Sequence, residues 1–203
     1  MKQTIISFAV FFLTIIASAQ IKKEIYTDKV DDLRILVIEL CADENGKVTY
    51  MKEVDSKSNF DDKEFVDKMI AVLSKQSMDY HGKKDCIEMK LILINPKFKD
   101  AVLSNEECKS LEFLKSGVFI YADPDLSETI INRDEKFQTE NYKNSLLKAK
   151  IEWLSDCKYN LTYIEGGSGI VNVEIIGILK NQSIIYKATQ GNLSSTGILI
   201  KKP

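Results

Sequence analysis

The sequence predicts an α+β protein in two parts, a β-β-α-β domain followed by an antiparallel β-meander or small barrel. Within residues 22–97, two apolar runs flank a turn, and an amphipathic helix and a third apolar run follow them. Within residues 108–203, short β-type runs recur at regular spacing, with turn residues between them and no long helical stretch. A separate segment, residues 1–19, precedes both domains.

Residues 1–19 are predicted to be a cleavable secretory signal peptide. Lys2 supplies a positive start, residues 5–17 form a largely apolar run, and Ala-Ser-Ala at 17–19 matches the small-x-small cleavage pattern. The apolar run is shorter than the roughly 20 residues that span a bilayer, which favours cleavage over a retained anchor. We therefore expect a mature chain that begins at Gln20, is secreted or periplasmic, and has no integral membrane segment.

The β-β-α-β prediction rests on three runs and their boundaries. Residues 34–41 are rich in Ile, Val and Leu, which is typical of a buried strand. Asp-Glu-Asn-Gly at 43–46 predicts a turn that joins them to a second strand at 47–54. Residues 86–94 form the third strand, which Pro96 ends because proline cannot continue a central ladder.

The helix between the second and third strands has a recognisable start. Asp61 is the N-cap candidate, Glu64 completes a capping box, and Phe60 and Phe65 form a hydrophobic staple. Apolar residues then recur at helical spacing, which indicates a core-facing stripe. We expect the helix to end near Gln76.

The second domain is predicted from its short strands. The connector at 97–110 has room for a short helix, and turn signals separate the runs that follow it. Eight runs are typical of strands: 117–121, 128–132, 136–140, 147–154, 158–164, 170–178, 183–188 and 197–201. Apolar and polar residues alternate at 147–153 and 158–163, which predicts that one face of the sheet is buried and the other is exposed to solvent.

Aromatic residues cluster in this second half. In a small barrel these residues would fill the interior, whereas in a wider barrel they would line a pocket for an apolar ligand. We favour the filled interior. The residues are Phe113, Phe119, Tyr121, Phe137, Tyr142, Trp153, Tyr159, Tyr163 and Tyr186.

Four cysteines, Cys41, Cys86, Cys108 and Cys157, lie in the mature part. An even number in an exported chain favours disulfides, and four cysteines allow three pairings. We favour Cys41–Cys86 and Cys108–Cys157, because each pair then stays within one predicted domain. A zinc site is the weaker interpretation, since no two cysteines are closely spaced and the single histidine, His81, lies in a polar turn.

No catalytic, cofactor-binding or metal-binding residue is predicted. Ser168 lies between glycines, but Ile170 stands where a nucleophile elbow needs its second glycine. The turn that begins at Asp123 has Glu128 where a calcium loop needs glycine. The formal net charge is −2, or −3 once Lys2 is removed with the signal peptide. A mildly acidic chain of this kind does not indicate nucleic-acid binding.

Residues 38–48, 54–62 and 87–94 resemble the C-terminal domain of TonB-type energy transducers. In that family a strand, a Gly-x-Val turn, a second strand, a Ser-rich loop, a helix and a last strand follow in this order; Gly46 and Val48 match the turn. The family's Tyr-Pro segment and Pro/Lys-rich spacer are absent. The resemblance, over about residues 33–95, therefore implies a fold and a strand edge that can pair with an extended peptide.

Residues 108–201 resemble uncharacterised C-terminal β domains of secreted bacterial proteins. The resemblance is carried by Cys108, residues 115–121, Asp123-Pro124, residues 131–133 and 151–159, and Val173 to Ile176. It implies a β domain and transfers no function.

Together these features favour an exported non-enzymatic protein that binds a protein or peptide partner in the cell envelope, without a cofactor. The alternative is a carrier of a small apolar ligand inside the C-terminal β domain. A hydrolase ranks third, because no nucleophile–base pair can be named.

Overall fold

The computed structural model describes residues 21–45, 47–75 and 85–203. These residues divide into two units, 21–96 and 97–203. Both are built mainly of β-strands: the first has a mixed four-stranded sheet and the second a closed eight-stranded barrel. None of the helices among the described residues is long and apolar enough to cross a membrane.

Some sequence predictions fall outside the described residues. They are the signal peptide with its cleavage site, Gly46 of the hairpin turn, the helix end near Gln76, and the turn that contains His81.

The first unit is a sheet with strand order β1-β4-β2-β3. Its strands are β1 (Ile21–Tyr26), β2 (Leu33–Ala42), β3 (Val48–Glu53) and β4 (Asp85–Ile94). Strand β1 runs parallel to β4, whereas β2 is antiparallel to both β4 and β3. The strands and helix predicted at 34–94 are present in the predicted order, and β1 is an additional strand that the sequence reading missed.

Helix α1 (Lys63–Leu73) packs on one face of this sheet. Val66 is its buried contact, and partly buried apolar side chains of the same helix surround it. The sheet contributes the other half of this core, which contains Leu36, Ile38, Met89, Leu91 and Leu93.

The start of α1 differs by one residue from the prediction. Asp62, and not Asp61, is the N-cap, and its carboxylate accepts a 3.0 Å hydrogen bond from the Phe65 N–H. Glu64 pairs with Lys68 on the exposed helix surface instead of closing a capping box. Asp61 and Asp62 are adjacent, so either residue satisfies the N-cap preference for aspartate. The predicted Phe60–Phe65 contact forms with Asp62 as the N-cap, and its ring centroids are 5.5 Å apart.

The second unit begins with a helical connector. Helix α2 (Asn105–Lys109) has a complete capping box between Ser104 and Glu107, which confirms a short helix in this segment. The following 3₁₀ turn places Leu111 and Leu114 in the barrel core.

Eight antiparallel strands close the barrel in the order β10-β11-β12-β5-β6-β7-β8-β9. Each contains or overlaps one of the eight predicted runs, so the barrel form of the prediction is confirmed. The strands are β5 (Gly117–Tyr121), β6 (Ile130–Arg133), β7 (Phe137–Tyr142), β8 (Ser145–Ser155), β9 (Lys158–Glu165), β10 (Ile170–Leu179), β11 (Ser183–Gln190) and β12 (Leu193–Lys201).

Both favoured disulfides form, one in each unit. Cys41 and Cys86 are direct partners on β2 and β4, with Cα atoms 4.1 Å apart. Cys108 and Cys157 link α2 to the turn between β8 and β9, with Cα atoms 5.1 Å apart. Two disulfides fit an oxidising extracellular or periplasmic compartment.

Candidate functional site

Two features could carry function, and the first is a polar network inside the barrel. Inward-facing residues of a small barrel are normally apolar and fill its interior. Here Arg133 on β6 and Gln138 and Glu140 on β7 are buried, with 6%, 2% and 6% of their surface exposed. Charged residues are almost never this buried unless they are paired.

Arg133 is held by hydrogen bonds and by two rings. Its Nε donates to Gln138 Oε1 at 2.9 Å, its Nη2 donates to the Tyr159 hydroxyl at 3.0 Å, and its Nη1 donates to the Leu114 carbonyl at 3.1 Å. The guanidinium carbon lies 5.2 Å from the ring centre of Phe119 and 4.8 Å from that of Tyr159. The cation is therefore solvated by the protein in place of water.

Glu140 is the counter-charge at the other end of the network. Its Oε1 accepts a 2.6 Å hydrogen bond from Gln138 Nε2, and its Oε2 accepts a 3.0 Å hydrogen bond from the Tyr121 hydroxyl. Burial raises the pKa of the Glu140 carboxyl, and the bonds from Gln138 and Tyr121 and the charge of Arg133 act in the opposite direction. Burial, followed by the charge of Glu140, also raises the pKa of Tyr121.

The barrel interior around this network is nearly filled. The cavity lined by Tyr121, Arg133, Gln138, Tyr159 and Tyr186, among others, measures about 10 Å³. That is about the minimum space for one water molecule. Five of the nine aromatic residues of the second half are buried in this core, so the filled-interior interpretation is confirmed for Phe119, Tyr121, Tyr159, Tyr163 and Tyr186.

Arg133, Gln138 and Glu140 were not among the predicted site residues. A signal for them existed, because Gln138 and Glu140 are two residues apart within a predicted strand and so share a face. Which face points inward cannot be read from a strand whose two faces are both polar, as at Gln-Thr-Glu-Asn in 138–141.

The second feature is the outer edge of β3. Among the described residues, β3 is the last strand on its side of the sheet. The register pairs Glu39 with Lys52 and Leu40 with Met51, and Val54 N–H donates to the Val37 carbonyl at 2.8 Å.

This hydrogen bond fixes which backbone groups face outward. Antiparallel partners alternate between hydrogen-bonded and non-hydrogen-bonded pairs. Because Val54 bonds to Val37, the next residues of β3 whose backbone groups bond to β2 are Lys52 and Tyr50. The N–H and C=O groups of the residues between them, Met51 and Glu53, therefore point away from β2. These are the groups that an added strand would engage.

An added strand would meet the exposed side chains of β3, among them Lys52. Tyr50 is 45% exposed, and β3 contains no proline. The carboxylate of Glu53 is buried and paired with Lys63 Nζ at 2.7 Å, so it does not project from the edge. Lys63 also bonds Asp55 at 2.7 Å, which lowers the pKa of the Asp55 carboxyl.

The other residues considered from the sequence occupy structural positions. Asp123 caps the 3₁₀ turn Pro124–Leu126, with its carboxylate accepting from the Asp125 N–H at 3.1 Å. Among the described residues no cluster of His, Cys, Asp and Glu could hold a metal ion. Gly166 to Gly169 form the turn between β9 and β10, with positive φ at both end glycines.

No family model, no curated protein and no solved structure matches this chain.

Proposed function

We propose that the chain is an exported, non-enzymatic binding protein that adds an extended segment of a partner protein to the edge of β3. The observation that carries this proposal is the outward direction of the Met51 and Glu53 backbone groups on β3, which with β1 is one of the two edge strands of the described sheet. Backbone hydrogen bonds would supply affinity, and side-chain contacts would supply selectivity. The two disulfides support an extracytoplasmic site of action.

The barrel has no comparable edge, because its strands close on one another. The alternative, a carrier of a small apolar ligand in the barrel, has less support. The cavity beside Arg133 measures about 10 Å³, whereas ligand pockets measure roughly 300–1,000 Å³.

A matched pair of variants tests the edge. Met51→Pro removes the outward N–H without removing a bond to β2, whereas Met51→Ala shortens the same side chain and keeps the N–H. Oxidised protein beginning at Gln20 would be used to select binders from a phage-displayed library of random linear peptides. We expect selected peptides to bind the wild type and Met51→Ala, and to bind Met51→Pro at least tenfold more weakly.

A second measurement leaves the protein unchanged. A selected peptide would be N-methylated at one residue at a time, and affinity should fall at alternate positions only, since every second N–H of an added strand faces β3. Equal binding to the proline and alanine variants, or N-methylation effects without alternation, would contradict the proposal. Export is tested separately by the intact mass of the protein from its own cells, which should correspond to a chain starting at Gln20 with both disulfides closed.

A further inference from the structure

The outer surface of the barrel has a groove across β9, β10 and β11. Its volume is about 360 Å³, and Leu154, which is 58% exposed, lies at its border on β8. This volume is within the roughly 300–1,000 Å³ range of small-molecule sites. Most of its lining residues, among them Asn160, Asn172 and Lys187, alternate with inward-facing ones along their strands and so lie on the outer face, whereas Tyr159 and Val173 at its floor belong to the barrel core.

An uncharged polar row crosses the middle of the groove. The register places Asn160 opposite Asn172, and Asn172 opposite Thr189. Directly opposed side chains on neighbouring strands have Cβ atoms about 4.5–5.5 Å apart. Two amides and a hydroxyl are therefore aligned across three strands, each able to donate and accept hydrogen bonds.

One atom of this row is unsatisfied. Asn160 Oδ1 is buried and has no hydrogen-bond partner among the described residues. Buried polar groups are nearly always bonded, so an exception calls for an explanation.

A charged row lies beside the polar one. Lys158 and Glu174 are opposed and form a 2.7 Å ion pair, and Lys187 is opposite Glu174 on its other side. The lining thus contains two ammonium groups and one carboxylate, which is already engaged by Lys158. In the part of the chain that the structure describes, Lys187 forms no ion pair, so its exposed ammonium is available to an anion.

We propose that this groove binds a sugar acid. Its hydroxyl groups would exchange hydrogen bonds with Asn160, Asn172 and Thr189, and its carboxylate would pair with Lys187. The C–H face of the ring would contact Leu154. The groove has no exposed aromatic ring to stack a base, since the one aromatic in its lining, Tyr159, is 3% exposed and packs into the barrel core.

Three probes separate the parts of this proposal. Saturation-transfer NMR and titration calorimetry would be run with D-glucuronate, with D-glucose, which lacks the carboxylate, and with propionate, which lacks the hydroxyl groups. The proposal requires glucuronate to bind most tightly, glucose more weakly, and propionate weakest of all.

Variants then assign the site. Lys187→Gln should weaken glucuronate binding about tenfold, which corresponds to a charge-assisted hydrogen bond, and should leave glucose binding unchanged. Asn172→Ala should weaken both sugars. Lys150→Gln, which changes an exposed lysine on the outer face of β8, is the matched control and should change neither.

The proposal is overturned if glucuronate does not bind at any attainable concentration. It is also overturned if Lys187→Gln and Lys150→Gln have the same effect, or if propionate binds as tightly as glucuronate. These results do not depend on the β3 edge, which belongs to the other unit.

Discussion

Gln138 Nε2 donates a 2.6 Å hydrogen bond to Glu140 Oε1 inside the barrel. The same amide accepts from Arg133 through its oxygen. This is the amide orientation that satisfies both neighbours, because a guanidinium can only donate and an ionised carboxylate can only accept. Gln138 thus connects two opposite charges that the barrel removes from water.

Replacing this connector should destabilise the barrel strongly. Gln138→Leu keeps the approximate volume but leaves a buried cation and a buried carboxyl without their shared partner, for an expected loss of about 3–5 kcal/mol. Thr139→Val, one residue along on the opposite face of β7, should cost under about 1 kcal/mol. Urea unfolding followed by Trp153 fluorescence would measure both. Similar losses for the two variants would show that the network is not the cause.

The raised pKa of Glu140 predicts a pH dependence with a definite sign. A carboxyl whose folded-state pKa exceeds its unfolded-state value contributes stability below the unfolded pKa and loses it as the pH rises through the folded pKa. The unfolding free energy of the wild type minus that of Glu140→Gln should therefore decrease as the pH rises from 4 toward neutrality. Asp55 and Asp134, whose pKa values are lowered, act in the opposite direction but are present in both proteins.

This comparison needs a series of denaturant titrations at different pH values, with calorimetry to check that both variants unfold cooperatively. A difference that stays constant or increases with pH would show that Glu140 is not destabilised by its burial.

The two disulfides should stabilise different parts of the chain. Their sequence separations are 45 and 49 residues, and closing loops of this size is worth about 4 kcal/mol each on the chain-entropy model. Replacing Cys108 and Cys157 together by Ala should increase hydrogen exchange mainly in the barrel, and replacing Cys41 and Cys86 mainly in the sheet. Loss of protection spread evenly over both units by either change would contradict this assignment.

Gly166 and Gly191 provide a matched test of backbone packing. Both have positive φ, 72° and 58°. A Cβ at Gly166 would lie 2.2 Å from the Leu146 carbonyl oxygen, whereas at Gly191 it would meet nothing within 4 Å. Each alanine variant should lose about 1–3 kcal/mol for the backbone conformation. Gly166→Ala should lose clearly more in thermal unfolding, and equal losses would exclude the contact with Leu146.

Patterns local in the chain predicted most of the fold. The eight barrel runs, the helix α1 and the short helix α2 each have a signal within a few residues, from alternation, apolar spacing or capping. The disulfide pairing followed once the two domains were placed. Strand β1 was missed because Ile21–Tyr26 includes Lys-Lys-Glu, and its pairing with β4 is parallel and distant in sequence.

The candidate sites were harder to predict than the fold. The groups at the β3 edge are backbone atoms, and their direction depends on the register with β2, which the bond from Val54 to Val37 reveals. Arg133, Gln138 and Glu140 have side chains typical of a surface, and only closure of the barrel places them inside.

The most direct test of the edge proposal is hydrogen exchange of individual amides in the oxidised protein, with and without a peptide selected by display. We expect the peptide to slow exchange at the amides of Met51 and Glu53, while the amides of Tyr50 and Lys52, which already face β2, change little. Protection elsewhere in the chain, with the exchange of Met51 and Glu53 unchanged, would contradict it.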